Sequence, residues 1–422
     1  MREKISYSVK IVNSHTSLQR TLLVFRDAVA SLTNIVNSEW NNFEHESRLN
    51  ELSFIDKLIH STANNVAKYS FFDEKFYKMP AYMRRSVRAA VLEAVKAYRN
   101  SSNEKKTLCR RPDKFPCLYR SGTFKLLDDT HCEIKVFNGH DWVWETFQLR
   151  ASDVNYVKRK GYSFTDCSAP VLKKSGRGFK LVFLFEEVCE LPDEISRICA
   201  IDLGINTDAV CSIIEADGTV KARKFINLAD EKDQLQRLLN NIKRRQNLGS
   251  RTNSKLWRFV NNTNKTLSIK VAKAIVEFAA EQDCHCIVFE HLDTQDKKRG
   301  SKRQRLAMWR KAEIQRMAQS MAHRKVMRLS RVFAKGTSMY AFDGSGKTKR
   351  HRDNFSICMF ESGKQYNCDL SASYNIGARY FIRAAQKSMS EAKWQSMVAK
   401  VPSLGSRTTC TLSSLLSLYA VM

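Results

Sequence analysis

A chain of 422 residues, 43% of them hydrophobic, carries more apolar material than one core holds and predicts about two to four domains. Its 71 Lys and Arg against 43 Asp and Glu leave a net charge of +28 and a pI near 9.7. Such an excess draws polyanions, nucleic acid first among them. No apolar run reaches the roughly 18 residues of a membrane-spanning helix, so no membrane partner is expected.

The first residues, Met1-Arg2-Glu3-Lys4-Ile5-Ser6-Tyr7, carry no apolar signal segment, and an intracellular protein is expected. Twelve cysteines in a reducing compartment read as small buried hydrophobes. Cys284-His285-Cys286 is too tight for two ligands of one zinc, and Cys109 and Cys117 are too far apart for a knuckle.

Ile5, Tyr7, Val9 and Ile11 alternate with polar residues and predict a half-buried strand. The period then changes. Leu18, Leu22, Phe25, Val29, Leu32, Val36 and Trp40 predict a long amphipathic helix, and residues 54–70 a second. Pro80 opens a third, with Met83, Val87, Val91, Val95 and Tyr98 on one stripe. Arg84, Arg85, Arg88 and Lys96 lie off that stripe, either as a solvated face or as phosphate contacts. Residues 107–190 instead show short strands punctuated by Gly, Pro and aromatics, an antiparallel module expected to form a small barrel.

Pro192 marks the next boundary. Ile198-Cys199-Ala200-Ile201-Asp202-Leu203-Gly204 reads as a buried strand that delivers Asp202 to a sheet edge. Residues 209–214 and 220–226 add two strands around the turn Ala216-Asp217-Gly218. A helix containing Leu235, Leu238, Leu239 and Ile242 ends in Lys243-Arg244-Arg245. A second helix, about Ser254 to Glu281, feeds the strand Ile287-Val288-Phe289-Glu290. The basic run 297–305 is expected to be a loop ordered by nucleic acid, followed by a basic helix with Trp309, Met317, Met321, Met327 and Leu329 as its core face. Residues 341–367 are polar and basic. Asp369 opens the last predicted helix, which fades near Ala385 before a Ser/Thr-rich, flexible tail.

Asp202, Glu290 and Asp369 each stand where a strand or helix meets a loop. Taken singly, each reads as a helix cap or the partner of a basic residue. Taken together they match what magnesium chemistry needs: oxygen ligands from a few carboxylates plus substrate phosphates. Two such ions about 4 Å apart stabilise the attacking and leaving oxygens of a phosphodiester displacement. Residues so distant in sequence meet only if the first strand, the fourth strand and a late helix converge, which is the RNase H-like arrangement.

The blocks Ala200-Ile201-Asp202-Leu203-Gly204, Ile287-Val288-Phe289-Glu290-His291-Leu292 and Asp369-Leu370-Ser371-Ala372-Ser373-Tyr374-Asn375-Ile376-Gly377 resemble the three RuvC motifs of the TnpB proteins, relatives of the compact type V CRISPR effectors. The resemblance implies an α+β multidomain protein. A β-barrel wedge domain (1–13 and 103–192) carries an inserted helical recognition domain (14–102). A RuvC nuclease domain follows (193–336 and 365–386), with a degenerate zinc-knuckle insertion (337–364) and a flexible tail (387–422). It implies an RNA-guided DNA endonuclease in a prokaryotic cytoplasm, associated with the nucleoid. Two Mg2+ ions would sit on Asp202, Glu290 and Asp369, and the partners would be guide RNA and target double-stranded DNA with a short flanking motif. One or two copies per RNA both fit.

This chain departs from the pattern at two places. Thr337-Ser338 opens the knuckle region, but the ligand positions read Ala341, Gly344, Cys358 and Glu361. A structural zinc needs four ligands, so none is expected, and Phe342, Phe355, Met359 and Phe360 are expected to pack this lobe instead. The third motif carries Ser371 where Asn is usual. Nucleic-acid contacts are expected from Arg84, Arg85, Arg88, Lys243, Arg244, Arg245, Lys298, Arg299, Lys302, Arg303, Arg305, Lys349 and Arg350. Trp142, Trp144 and Tyr162 are candidates for base stacking, with β core as the alternative. Three other readings stay open. An actin-like ATPase shares Asp-Leu-Gly and a hairpin, but the sequence has no later glycine-rich adenosine loop and such a protein has no need of +28. The remaining two are a nuclease-inactive RNA-guided repressor and an unguided resolvase or transposase.

Overall fold

A computed structural model describes residues 2–12, 16–43, 46–101, 108, 114–120, 122–250, 252–291, 310–351 and 353–422. The chain divides into two compact units, Arg2–Glu187 and Val188–Met422. The architecture is mixed α+β.

In the first unit, β1 (Arg2–Lys10) leads into α1 (Thr16–Ser38), which buries Leu18, Leu22, Phe25, Val29, Leu32 and Val36 as their spacing predicts. α2 (Arg48–Ile59), α3 (Phe71–Lys75) and α4 (Ala81–Arg99) complete the helical block. The helix expected over 54–70 is displaced. It starts earlier, where the Ser47 hydroxyl accepts from Asn50 N, and stops at Ile59. Asn65 turns its amide back onto the carbonyls of Lys57 and His60 at 2.9 and 2.8 Å, capping that end.

The strands of this unit are β2 (Phe124–Leu126), β3 (His131–Phe137), β4 (Trp142–Gln148), β5 (Val171–Ser175) and β6 (Gly178–Val188). Among the described residues they form no closed barrel, contrary to the expectation. Two three-stranded sheets, ordered β1-β6-β5 and β2-β3-β4, are joined only by isolated bridges such as Ile11 to Leu149. One physical reason is α5 (Ala151–Arg159), which takes the chain off the β path after β4. Only Val154 and Val157 anchor it, too few apolar positions to declare a helix in sequence.

The second unit is built on a five-stranded sheet ordered β11-β10-β7-β8-β9. β7 (Arg197–Asp202), β8 (Ala209–Glu215) and β9 (Val220–Ile226) are antiparallel neighbours, whereas β10 (Cys286–His291) runs parallel to β7 and β11 (Arg328–Phe333) parallel to β10. α6 (Ala229–Asn247) and α7 (Ser254–Glu281) connect β9 to β10. α8 (Lys311–His323) precedes β11, so the long basic helix expected there is cut short. Leu329 lies in a strand, and Trp309 falls outside the described residues. Residues 341–367 include a small sheet of β12 (Lys349–Arg350), β13 (Ile357–Met359) and β14 (Gln365–Asn367). Its core is Ala341, Cys358, Phe360 and Cys368, with Phe342 and Tyr366 against them. Phe355 and Met359, expected in that core, are exposed.

α9 (Cys368–Ser388) lies across the sheet. A β-carbon on Gly377 would come within 2.4 Å of Ile214 Cδ1 and 3.2 Å of Ala200 Cβ, so this crossing is as close as a glycine permits. The flexible tail is not observed. α10 (Glu391–Lys400), a 3-10 turn at Pro402–Gly405 and α11 (Leu412–Val421) fold back, and Trp394, Leu415 and Leu418 join the core under α9. Ser and Thr in this segment cap helices rather than mark disorder: Thr411 and Ser414 form a capping box.

Candidate metal centre

Side chains along a strand alternate between the two faces of its sheet. Cys199, Ile201, Ile287 and Phe289 pack on one face with Val271 and Ile275 of α7 and Ile314 of α8. Ile198, Ala200, Cys286 and Val288 pack on the other with Leu370, Tyr374 and Ile376 of α9. Continuing each alternation by one residue places Asp202 and Glu290 on the α9 face. The parallel register pairs Phe289 with Ile201, so Glu290 is the lateral neighbour of Asp202. Asp369 stands in the first turn of α9, which Asn367 caps by accepting from Leu370 N at 2.9 Å. Its Oδ2 lies 3.8 Å from where a β-carbon on Gly204 would be, at the end of β7. Three elements far apart in sequence thus bring the three carboxylates to one edge of the sheet.

Electrostatics reflect that convergence. Burial, then the charges of Glu290 and Asp369, push the Asp202 carboxyl well above the usual range, with Arg350 opposing. Burial raises Asp369, again against Arg350. Burial also raises Glu290, opposed first by the Thr337 hydroxyl and then by Arg379 and Lys311. Among the described residues no hydrogen bond reaches the carboxylates of Asp202 or Asp369. Nor is any group of three or more His, Cys, Asp and Glu side chains drawn close enough to hold a metal ion. The charges of Glu290 and Asp369 repel that of Asp202. As a donor set, three carboxylate groups with free oxygens fit a hard divalent cation, which would remove the repulsion.

Several residues around the site were given no role in it by the sequence. Thr337 donates its hydroxyl to Glu290 Oε1. Gln315 donates to the Glu290 carbonyl at 3.0 Å and is itself held by Arg331 at 2.9 Å. Buried Arg379 donates to the carbonyls of Phe333, Lys335, Thr408 and Cys410 and ties α9 to the chain after β11 and to the C-terminal segment. Buried Asn375 donates to the carbonyls of Thr337 and Tyr340 and accepts from Leu412 N. A lone Arg or Asn within an apolar helical stripe was the only hint in sequence.

The basic residues divide by environment. Arg84 pairs with Asp73 at 2.8 Å and Arg88 with Asp56 at 3.0 Å, while Arg85 lies over the Tyr119 ring. Lys243, Arg244 and Arg245 are exposed at the end of α6, and Lys349 and Arg350 on β12. Arg350 is also the cation that acts on both Asp202 and Asp369. Lys298, Arg299, Lys302, Arg303 and Arg305 lie outside the described residues. Of the stacking candidates, Trp142 is buried, Trp144 lies under Lys125 and Lys135, and Tyr162 packs on Tyr7 and Phe185.

Residues 5–138 match the model of the Aq_aa04 family. No curated protein matches the chain. Among solved structures, the chain is similar to Cas12f1 in a complex with sgRNA and target DNA, at 15% identity, 89% coverage of this chain, 98% of that one and a TM-score of 0.36. It is similar to Cas12f in a CRISPR ternary complex at 14% identity, with 84% and 80% coverage and a TM-score of 0.35. For CasPhi-2 (Cas12j) bound to crRNA the values are 8% identity, 89% and 97% coverage and a TM-score of 0.45. No helix among the described residues is long and apolar enough to cross a membrane.

Proposed function

We propose that the second unit is an RNase H-like nuclease domain of the RuvC type and that the chain is an RNA-guided DNA endonuclease. The observation that carries this reading is that Asp202 and Glu290 end neighbouring strands on the α9 face and Asp369 lies in the first turn of α9 near the end of β7, each in one of the motif blocks that resemble the TnpB proteins. The charge of +28 supports nucleic acid as the ligand.

Asp202, Glu290 and Asp369 would hold divalent magnesium. When bound, magnesium supplies an activated water and charge stabilisation at a phosphodiester being displaced. The chain's own residues set the geometry. The β7–β10 register fixes the spacing of Asp202 and Glu290, and Thr337 orients the Glu290 carboxylate. Arg350 stands beside Asp202 and Asp369, positioned to meet a phosphate brought to them. Lys243, Arg244, Arg245 and Lys349 are exposed cations for backbone contact, without sequence reading. Base pairing with a guide RNA would read the target, the division of labour known for RNA-guided effectors. Intact carboxylates at all three positions favour a cutting enzyme over a nuclease-inactive repressor.

The test is to purify the chain with the RNA that accompanies it, sequence that RNA, and offer a matching duplex in magnesium. Wild type is expected to cut and Asp202→Ala to lose cutting by about a thousandfold or more. Failure of wild type to cut, or equal cutting by Asp202→Ala, overturns the reading. Cutting without any defined RNA would favour an unguided nuclease.

A further inference from the structure

A cavity of about 390 Å3 opens between the C-terminal half of α9, α10, the 3-10 turn and the end of β11. That is large enough for a small ligand. Its walls carry four cations, Arg379, Arg383, Lys387 and Arg407, and no Asp or Glu. The first three recur every four residues along α9 and so share one face, where like charges repel. Arg379 is committed to backbone carbonyls, and Arg383 donates to the Arg331 carbonyl and the Ser330 hydroxyl at 2.8 and 2.7 Å. Lys387 and Arg407 have no ion-pair or hydrogen-bond partner among the described residues. The floor is apolar, made by Trp394, Ile382 and Leu404. Cations on one side and an aromatic floor on the other suit a phosphate joined to a flat, weakly polar group.

Val332 lines the cavity and is the register partner of Glu290 in the parallel β10–β11 ladder, about 4.8 Å away. The volume admits one unstacked nucleotide, not a duplex.

We infer that this cavity seats one nucleotide of single-stranded nucleic acid, with Lys387 and Arg407 on its phosphate and the base over the floor that includes Trp394. The inference goes beyond the nuclease reading and does not depend on it. It explains why a tail of Ser and Thr is folded against the nuclease sheet: it supplies the cavity's floor and one of its cations.

The test uses the full chain and oligothymidylate of about twelve nucleotides carrying a single photoreactive 4-thiothymidine. After irradiation, crosslinked peptides are mapped by mass spectrometry. The expected result is crosslinking to the Glu391–Lys400 segment that contains Trp394, from one or two adjacent positions of the strand. Lys387→Ala with Arg407→Ala should lower that crosslink about tenfold, as loss of two charge-assisted contacts implies, with the melting temperature and other crosslinks retained. Crosslinks that avoid this segment, or that ignore the double substitution, overturn the inference. So does equal labelling by free 4-thiothymidine monophosphate, which would make this a mononucleotide site. Cutting of DNA without this crosslink overturns the inference alone, whereas this crosslink without cutting overturns the nuclease reading and leaves the cavity assignment standing.

Discussion

Asp202 and Glu290 are lateral neighbours on parallel strands, one step beyond the Ile201–Phe289 pair, and both project to the face covered by α9. Asp369 lies close to the end of β7, and its charge and that of Glu290 add to burial in raising the Asp202 carboxyl.

Neutralising one of them should stabilise the cation-free protein. Asp202→Asn is expected to raise the melting temperature at pH 8 by about 2–6 °C, while abolishing the further rise that magnesium or manganese gives wild type. The sign follows from linkage. An acid raised by folding binds its proton longer in the folded state, so stability falls as pH rises from the unfolded value of about 4 through the folded one. The gap between variant and wild type should therefore be small near pH 4 and grow toward pH 8. Calorimetry showing the opposite trend would contradict the shared edge.

The α9 crossing gives a packing prediction. Gly377→Ala should destabilise the protein by about 1–3 kcal/mol, because its new methyl meets Ile214 Cδ1 and Ala200 Cβ. Ile214→Val removes the nearer of those atoms and should restore at least half of the loss. Urea unfolding of the two single variants and the pair measures the coupling.

Leu415 is fully buried in the core that α9 shares with α11. Leu415→Ala should cost about 2–5 kcal/mol, the usual range for a buried leucine. A loss below about 0.5 kcal/mol, typical of a surface position, would return the C-terminal segment to the status of a tail.

The helical block of the first unit offers a test away from the metal centre. Hydrogen bonds from Lys68 and Tyr69, both at 2.6 Å, lower the Glu39 carboxyl below its usual value. A depressed acid contributes stability above its unfolded pKa of about 4.3, which is lost as pH falls through the folded value. Glu39→Gln is therefore expected to cost about 1–3 kcal/mol at pH 7, with little difference from wild type near pH 2. A cost independent of pH would mean that shape, not charge, matters there.

Periodicity alone placed β1, α1, α4, β7, β8, β9, α7, β10 and the start of α9, because each buries one regular face and so leaves a pattern of period two or nearly four. The same local logic named Asp202, Glu290 and Asp369, since a carboxylate closing an apolar strand, or opening a helix, is visible in a short window. Other features depended on contacts between distant segments. α5 has only two buried anchors, and β11, Arg328-Leu329-Ser330-Arg331-Val332-Phe333, spaces its arginines three apart and reads as helix. The barrel fails to close because strand pairing is a choice among distant partners. The C-terminal segment looked mobile because capping Ser and Thr have the composition of a linker, and its burial depends on α9, which it meets only in the folded chain. Thr337, Arg379 and Asn375 are polar residues whose roles exist only through partners tens of residues away, so a linear reading assigns them none. The sequence determined which residues bear the charge and which strands bear the carboxylates. Only tertiary structure, through the register of β10 on β7 and the lie of α9 across the sheet, decided that those carboxylates come to one edge and that a cationic cavity forms under the C-terminal half of α9.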